Sequence, residues 1–230
     1  MHSCTMIKNT IMEIRDGCRE NLVKYTAKAF FLLPAIERPN ILEIGCGTGV
    51  PTMELARITD GTIFALEPDS ESCDILRDKV RKAGSQERIK VIHCTLEAAD
   101  LPVNFFDIVW AEGLLNIIGF EKGLLLGTRF LKDKGYFVIH DEIKNGGEKR
   151  RIIARHGYSL IDSFMLDRNT WLQGYYRCME KRLLDRMSTQ PVSEYDAKTF
   201  DNELRDISAY RERPENQRSI FYILKRKGKA

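Results

Sequence analysis

The 230-residue sequence has no apolar run long enough to cross a bilayer; the longest, Ala29 to Ile36, is broken by Pro34. Its first residues lack the charged, apolar and small-residue order of a secretory signal, so neither export nor a membrane is expected. Excess charge is also lacking. Lys and Arg number 36 against 33 Asp and Glu, and the net charge of +3 is too small to argue for a nucleic-acid partner. No CxxC pair and no Cys/His cluster occurs, and the six cysteines (Cys4, Cys18, Cys46, Cys73, Cys94 and Cys178) are scattered. Zinc frameworks are thereby excluded and no metal is expected; the thiols read as reduced and the chain as cytoplasmic. Internal repeats and low-complexity tracts are absent too. The remainder, 43% hydrophobic and 30% charged, has the composition of a globular chain with one core or one domain carrying an insertion.

What is present centres on Ile41-Leu42-Glu43-Ile44-Gly45-Cys46-Gly47-Thr48-Gly49-Val50-Pro51. The apolar run reads as a buried strand, the three alternating glycines as a turn, and Pro51 as the first turn of a helix. Backbone in such a turn can approach a ligand with no Cβ in the way, and helix N–H groups point at the same spot. The dinucleotide pattern G-x-G-x-x-G is not met, because Val50 stands where its third glycine belongs.

The rest of the chain alternates strands and helices. Residues 1–38 read as mainly helical. Thr62–Leu66 is a second strand ending at Glu67, and Ser70 is the expected N-cap of a helix carrying Cys73, Leu76 and Val80 on one face. Ile89–Cys94, Phe105–Ala111 and Tyr136–His140 are further strands, with a helix over Phe120–Leu131 between the last two. Lys149–Arg155 follows as a basic helix, then Tyr158–Leu166 and Arg218–Leu224 as strands six and seven. This rhythm predicts βαβ units, a mostly parallel sheet and a ligand at the carboxyl ends of its strands.

Taken together, E-x-G-x-G-x-G at Glu43–Gly49, an acid 22 residues after Gly45, Leu96-Glu97, Phe106-Asp107-Ile108-Val109 and Gly135–Ile139 form a set. The set resembles the class I S-adenosylmethionine (SAM) dependent methyltransferases, in particular a small-molecule subgroup carrying WxEG and IGFEKGL. One departure is Lys134, where the family places the first glycine of a GG pair. The resemblance runs from about Ile41 to Glu142. It implies a Rossmann-like α/β fold: a seven-stranded sheet, mostly parallel with the last strand antiparallel, helices on both faces and a helical insertion before the last strand. On that reading 1–167 plus 217–230 form the SAM-binding core with the N-terminal helices. Residues 168–216 are a lid or substrate insertion, not an independent domain.

The resemblance implies SAM as cofactor and S-adenosylhomocysteine as product. It implies cofactor contacts from Glu43, Gly45, Cys46, Gly47, Glu67, Pro68, Leu96, Glu97, Ala111 and Glu112. Glu67 would take the ribose hydroxyls, Glu97 the adenine amine, and backbone near Gly45 and Ala111 the methionine end. If the acceptor must lose a proton, His140 and Glu112 are the candidate bases. Glu112 could instead hold the methionine end, and His140 could be a substrate contact or a structural histidine. Trp110 is either core or substrate wall. Trp171, Tyr175 and Tyr176 are candidate substrate residues, or the packing of an arm. The expected reaction is transfer of the sulfonium methyl to an O, N or C nucleophile of a small-molecule acceptor by a monomer or homodimer. Competing classes are an NAD-type oxidoreductase and a non-catalytic partner subunit of the same fold.

Overall fold

The computed structural model describes residues 2–189, 194–212 and 218–228, so the expected boundary at 216/217 lies outside the described residues. The chain divides into two compact units, 24–165 with 219–230 and 1–23 with 166–218.

The larger unit is built on seven strands: β1 Asn40–Ile44, β2 Thr62–Glu67, β3 Ile89–His93, β4 Phe106–Glu112, β5 Leu131–Glu142, β6 Tyr158–Leu166 and β7 Ser219–Arg226. They lie side by side in the order β3-β2-β1-β4-β5-β7-β6, with β7 antiparallel to β5 and the β3-to-β5 pairs parallel. The order reverses between β1 and β4, and in open α/β sheets the crevice at that switch point takes the ligand. β1, β4 and, from Gly135 to Asp141, β5 run almost uninterrupted through buried positions, as strands covered on both faces do. Leu42, Ile44, Val109, Phe137, Ile139 and Leu224 are fully buried in this core.

The helices follow the strands. α1 spans His2–Arg19, α2 Val23–Phe31 (the two joined by a 3-10 turn), α3 Val50–Ile58, α4 Ser70–Lys82, α5 Leu115–Ile118, α6 Phe120–Thr128 and α7 Gly146–Arg155. Two expectations need correction. The cap of α4 is Asp69, whose carboxylate accepts from Ser72 N at 2.9 Å; Ser70 is already inside the helix. The helix expected over 120–131 stops at Thr128, and Leu131 already pairs with Phe106 as the start of β5. Its apolar run continued as strand, and periodicity cannot separate the two in a short segment. Lys134, in the place of a family glycine, sits at φ 64°, a left-handed conformation that glycine adopts without strain.

The smaller unit is helical: α1, α8 Arg168–Trp171, α9 Arg177–Thr189 and α10 Glu194–Glu212, with a π-helical turn at Leu172–Tyr176 between α8 and α9. The N-terminal helix α1 thus clusters with the insertion, whereas the sequence reading grouped it with the core. Ile11, Ile14, Met179, Leu183, Phe200 and Ile207 form its own buried cluster. Arg211 binds Glu180 through two hydrogen bonds of 2.9 and 2.6 Å, fixing α10 on α9.

The cysteines correct the sequence reading further. Cys18 and Cys178 form a disulfide between α1 and α9, with their Cα atoms 5.6 Å apart. The two lie 160 positions apart in the chain, so only helix packing brings them together and no local spacing signals the pair. Cys46, Cys73 and Cys94 are free thiols. Among the described residues no helix is long and apolar enough to cross a membrane.

Candidate active site

The glycine turn leaves β1 at the switch point, and each glycine there has a separate cause. Gly45, Gly47 and Gly49 all have positive φ, of 72°, 54° and 85°. A Cβ on Gly49 would stand 2.2 Å from Leu76 Cδ1, so this glycine lets α4 pack against the turn. A Cβ on Gly47 would meet nothing within 4 Å. Gly47 therefore presents bare backbone to open space, as close approach of a ligand requires. The turn is fastened to β2 by Gly45 N and Cys46 N, which donate to Leu66 O at 2.8 and 3.0 Å, and to α4 by Lys79, which donates to Thr48 O. Cys46 is buried, and that burial raises its thiol pKa strongly, so it is a neutral packing residue and no nucleophile.

Three carboxylates surround this turn. Glu67, at the end of β2, accepts from Gly47 N at 2.9 Å and from Asp69 N at 3.0 Å, which aims it at the glycine turn. Glu43 is 1% exposed, and its Oε2 has no hydrogen-bond partner. Burial pushes its pKa up to about 8; Thr52 opposes the rise, and the charges of Glu112 and Glu67 add to it. Glu112 ends β4, where its Oε1 accepts from Thr26 Oγ1 at 2.8 Å and from Trp110 Nε1 at 2.9 Å. A turn with open backbone and an orphaned buried carboxyl oxygen, with the Glu67 and Glu112 carboxylates beside it, suits a cationic ligand. The sulfonium and ammonium of SAM fit that chemistry.

The other expected residues fall as follows. Leu96 and Ala111 are buried; Pro68 offers its carbonyl to His93 Nε2 at 2.9 Å. Glu97 forms an ion pair with Lys122 at 2.6 Å, which lowers its pKa. Trp110 is fully buried, so of its two readings it is core. His140, on β5, is 4% exposed and lies beside Glu112. Asp107 of the FD pair sits at the opposite, amino end of β4, where it accepts from Asn40 N and binds Lys132 at 2.7 Å. Its role is to clip three strands together.

Trp171, Tyr175 and Tyr176 are in the smaller unit. The π turn widens the helix enough to bring all three rings into mutual contact, at centroid distances of 5.2 to 6.4 Å. Tyr176 stacks on Tyr210 of α10 at 3.9 Å, and the Arg19 guanidinium lies over Trp171. These aromatics pack within their own unit. Sequence reasoning passed over Thr26, which reaches Glu112 from α2, and Ser219, which hydrogen-bonds His140; a lone hydroxyl residue carries no pattern to find.

Residues 41–135 match the family model described as a methyltransferase domain. Within that segment, less than half of the chain, the sequence is similar to methyltransferase domains. Among relatives, it is 26% identical over 159 residues to Methyltransferase GfsG from Streptomyces halstedii, covering 67% of this chain and 55% of that protein. The chain thus spans about half the length of this relative. Among solved structures, the [4+2]-cyclase SpnF superposes with a TM-score of 0.75 at 16% identity, over 90% of this chain and 82% of SpnF. A SAM-dependent methyltransferase from Geobacter sulfurreducens in complex with S-adenosyl-L-homocysteine gives 0.72 at 15% identity, over 90% and 91% of the two chains. At these identities the structural likeness speaks for the fold.

Proposed function

We propose that this chain is a class I SAM-dependent methyltransferase that transfers the methyl group of SAM to a small-molecule nucleophile. The observation that carries the reading is the conjunction of bare backbone at Gly47 with the three carboxylates Glu43, Glu67 and Glu112 at one turn. SAM supplies an already activated methyl on a cationic sulfonium, so the protein's task is mainly alignment. Gly47 and Gly45 would meet the cofactor through backbone, and Glu67 would hold the ribose hydroxyls. Leu96 and Glu97 would border the adenine, Glu97 through the oxygen not taken by Lys122. Positioning of this kind is worth on the order of several kcal/mol.

Proton removal falls to His140. Of the two candidate bases, Glu112 has one oxygen already occupied by Thr26 and Trp110, so its part is to orient its neighbours. His140 stands next to it near the carboxyl end of β5. Methylation of nucleic-acid bases is disfavoured: Ala111-Glu112-Gly113-Leu114 stands where an (N/D)PP(Y/F) tetrapeptide would.

Because the same fold also serves a [4+2]-cyclase, methyl transfer itself needs the decisive experiment. Purified protein is incubated with SAM carrying an isotopically labelled methyl and a small-metabolite extract. Label in a low-molecular-mass product, lost in His140→Gln with SAM affinity unchanged, is the expected result. Absence of labelled product despite tight SAM binding would favour a non-methylating use of the fold.

A further inference from the structure

β2 and β3 run parallel in a register that sets His93 directly beside Glu67, each at the carboxyl end of its strand. Beyond Glu67 the chain turns through Pro68 and Asp69 into α4. Two backbone amides hold the Glu67 carboxylate. Gly47 N donates to Oε2 at 2.9 Å and Asp69 N to Oε1 at 3.0 Å. A carboxylate oxygen can accept two hydrogen bonds, so each keeps one acceptor site for a ligand hydroxyl. The imidazole of His93 donates from Nε2 to Pro68 O at 2.9 Å. A carbonyl oxygen only accepts, so Nε2 carries the proton in this bond.

We propose that His93 is a positioning residue for Glu67, acting through the single peptide group that joins Pro68 to Asp69. The inference rests on the reading of Glu67 as the carboxylate that holds the ribose of SAM. Pro68 C=O and Asp69 N–H are the two ends of one planar group, and in a trans peptide they point in opposite directions. Fixing the oxygen on His93 therefore aims the N–H at Glu67. The proline ring locks its own φ but leaves ψ free, and rotation about ψ would swing this peptide. α4 holds Asp69 from the far side, through Ser72 N on its carboxylate and Cys73 N on its carbonyl. Donation onto Pro68 O also polarises the peptide and strengthens its N–H as a donor. The remaining acceptor sites of Glu67 are thereby held in one orientation, which a pair of adjacent ribose hydroxyls requires.

Calorimetric titration of the full chain with SAM tests this, alongside melting temperature and 1H–15N spectra of the cofactor-free protein. His93 is exposed, and His93→Met and His93→Gln match each other in size while only the Gln amide can donate to Pro68 O. His93→Met should weaken SAM binding about threefold to tenfold, the range of one lost neutral hydrogen bond. His93→Gln should restore most of that affinity. Both variants lack the ring, so the Asp69 amide proton should lie farther downfield in His93→Gln than in His93→Met. A merely structural histidine would change the melting temperature and leave affinity and the Asp69 signal the same in the two variants. Should His93→Met fail to fold, His93→Ala takes its place. SAM affinity unchanged in His93→Met, or an Asp69 signal identical in the two variants, would overturn the inference. No SAM binding by the wild type would overturn the cofactor reading itself, and the spectra still decide whether His93 positions Glu67.

Discussion

At Gly47 and Gly49 one residue type serves two ends, and alanine separates them. Gly47→Ala adds a methyl to open space at φ 54°, so it should cost about 1–2 kcal/mol of stability and still obstruct the cofactor's approach. Gly49→Ala drives a methyl into Leu76 and should cost roughly 1–3 kcal/mol more. Urea denaturation with SAM titration decides; Gly47→Ala binding SAM normally would make that glycine structural only. Glu43 gives a pH signature. Its folded pKa of about 8 lies above the ordinary 4.5, so between those values the native state holds a proton that the unfolded chain has released. Stability from this group is full below pH 4.5 and is lost as pH rises through 8. Glu43→Gln should therefore flatten the fall of the denaturation midpoint between pH 5 and 8. An unchanged slope would mean that Glu43 is ionised throughout.

Among the elements, the strands were legible because their cause is local. β2 and β1 follow from apolar runs between turn residues, and the glycines announce the turn between β1 and α3. The α6–β5 boundary was not, since Phe130 and Leu131 suit either state. Nor was the disulfide, which depends on how α1 meets α9. That bond also weakens the cytoplasmic expectation to the extent that it relied on reduced thiols. It closes a loop of about 160 residues, so Cys18→Ser should destabilise the helical unit by about 2–5 kcal/mol. Intact mass under non-reducing conditions should show two hydrogen atoms fewer than after reduction. An identical melting curve with and without dithiothreitol would contradict the staple.

At the scale of the whole molecule, the candidate cofactor residues were readable because they sit at strand ends in fixed order along the chain. His140 was readable too, but its surroundings were not: Thr26 on α2 and Ser219 on β7 reach Glu112 and His140 only once helix packing and sheet pairing are in place.

The central claim is that the glycine turn with Glu67 binds SAM, and calorimetric titration tests it most directly. Wild type should bind SAM and not NADH. Glu67→Ala removes two charge-assisted hydrogen bonds, each worth about 1.5–3 kcal/mol, so affinity should fall at least tenfold. Unchanged SAM affinity in Glu67→Ala, or tight NADH binding with none for SAM, would contradict the account.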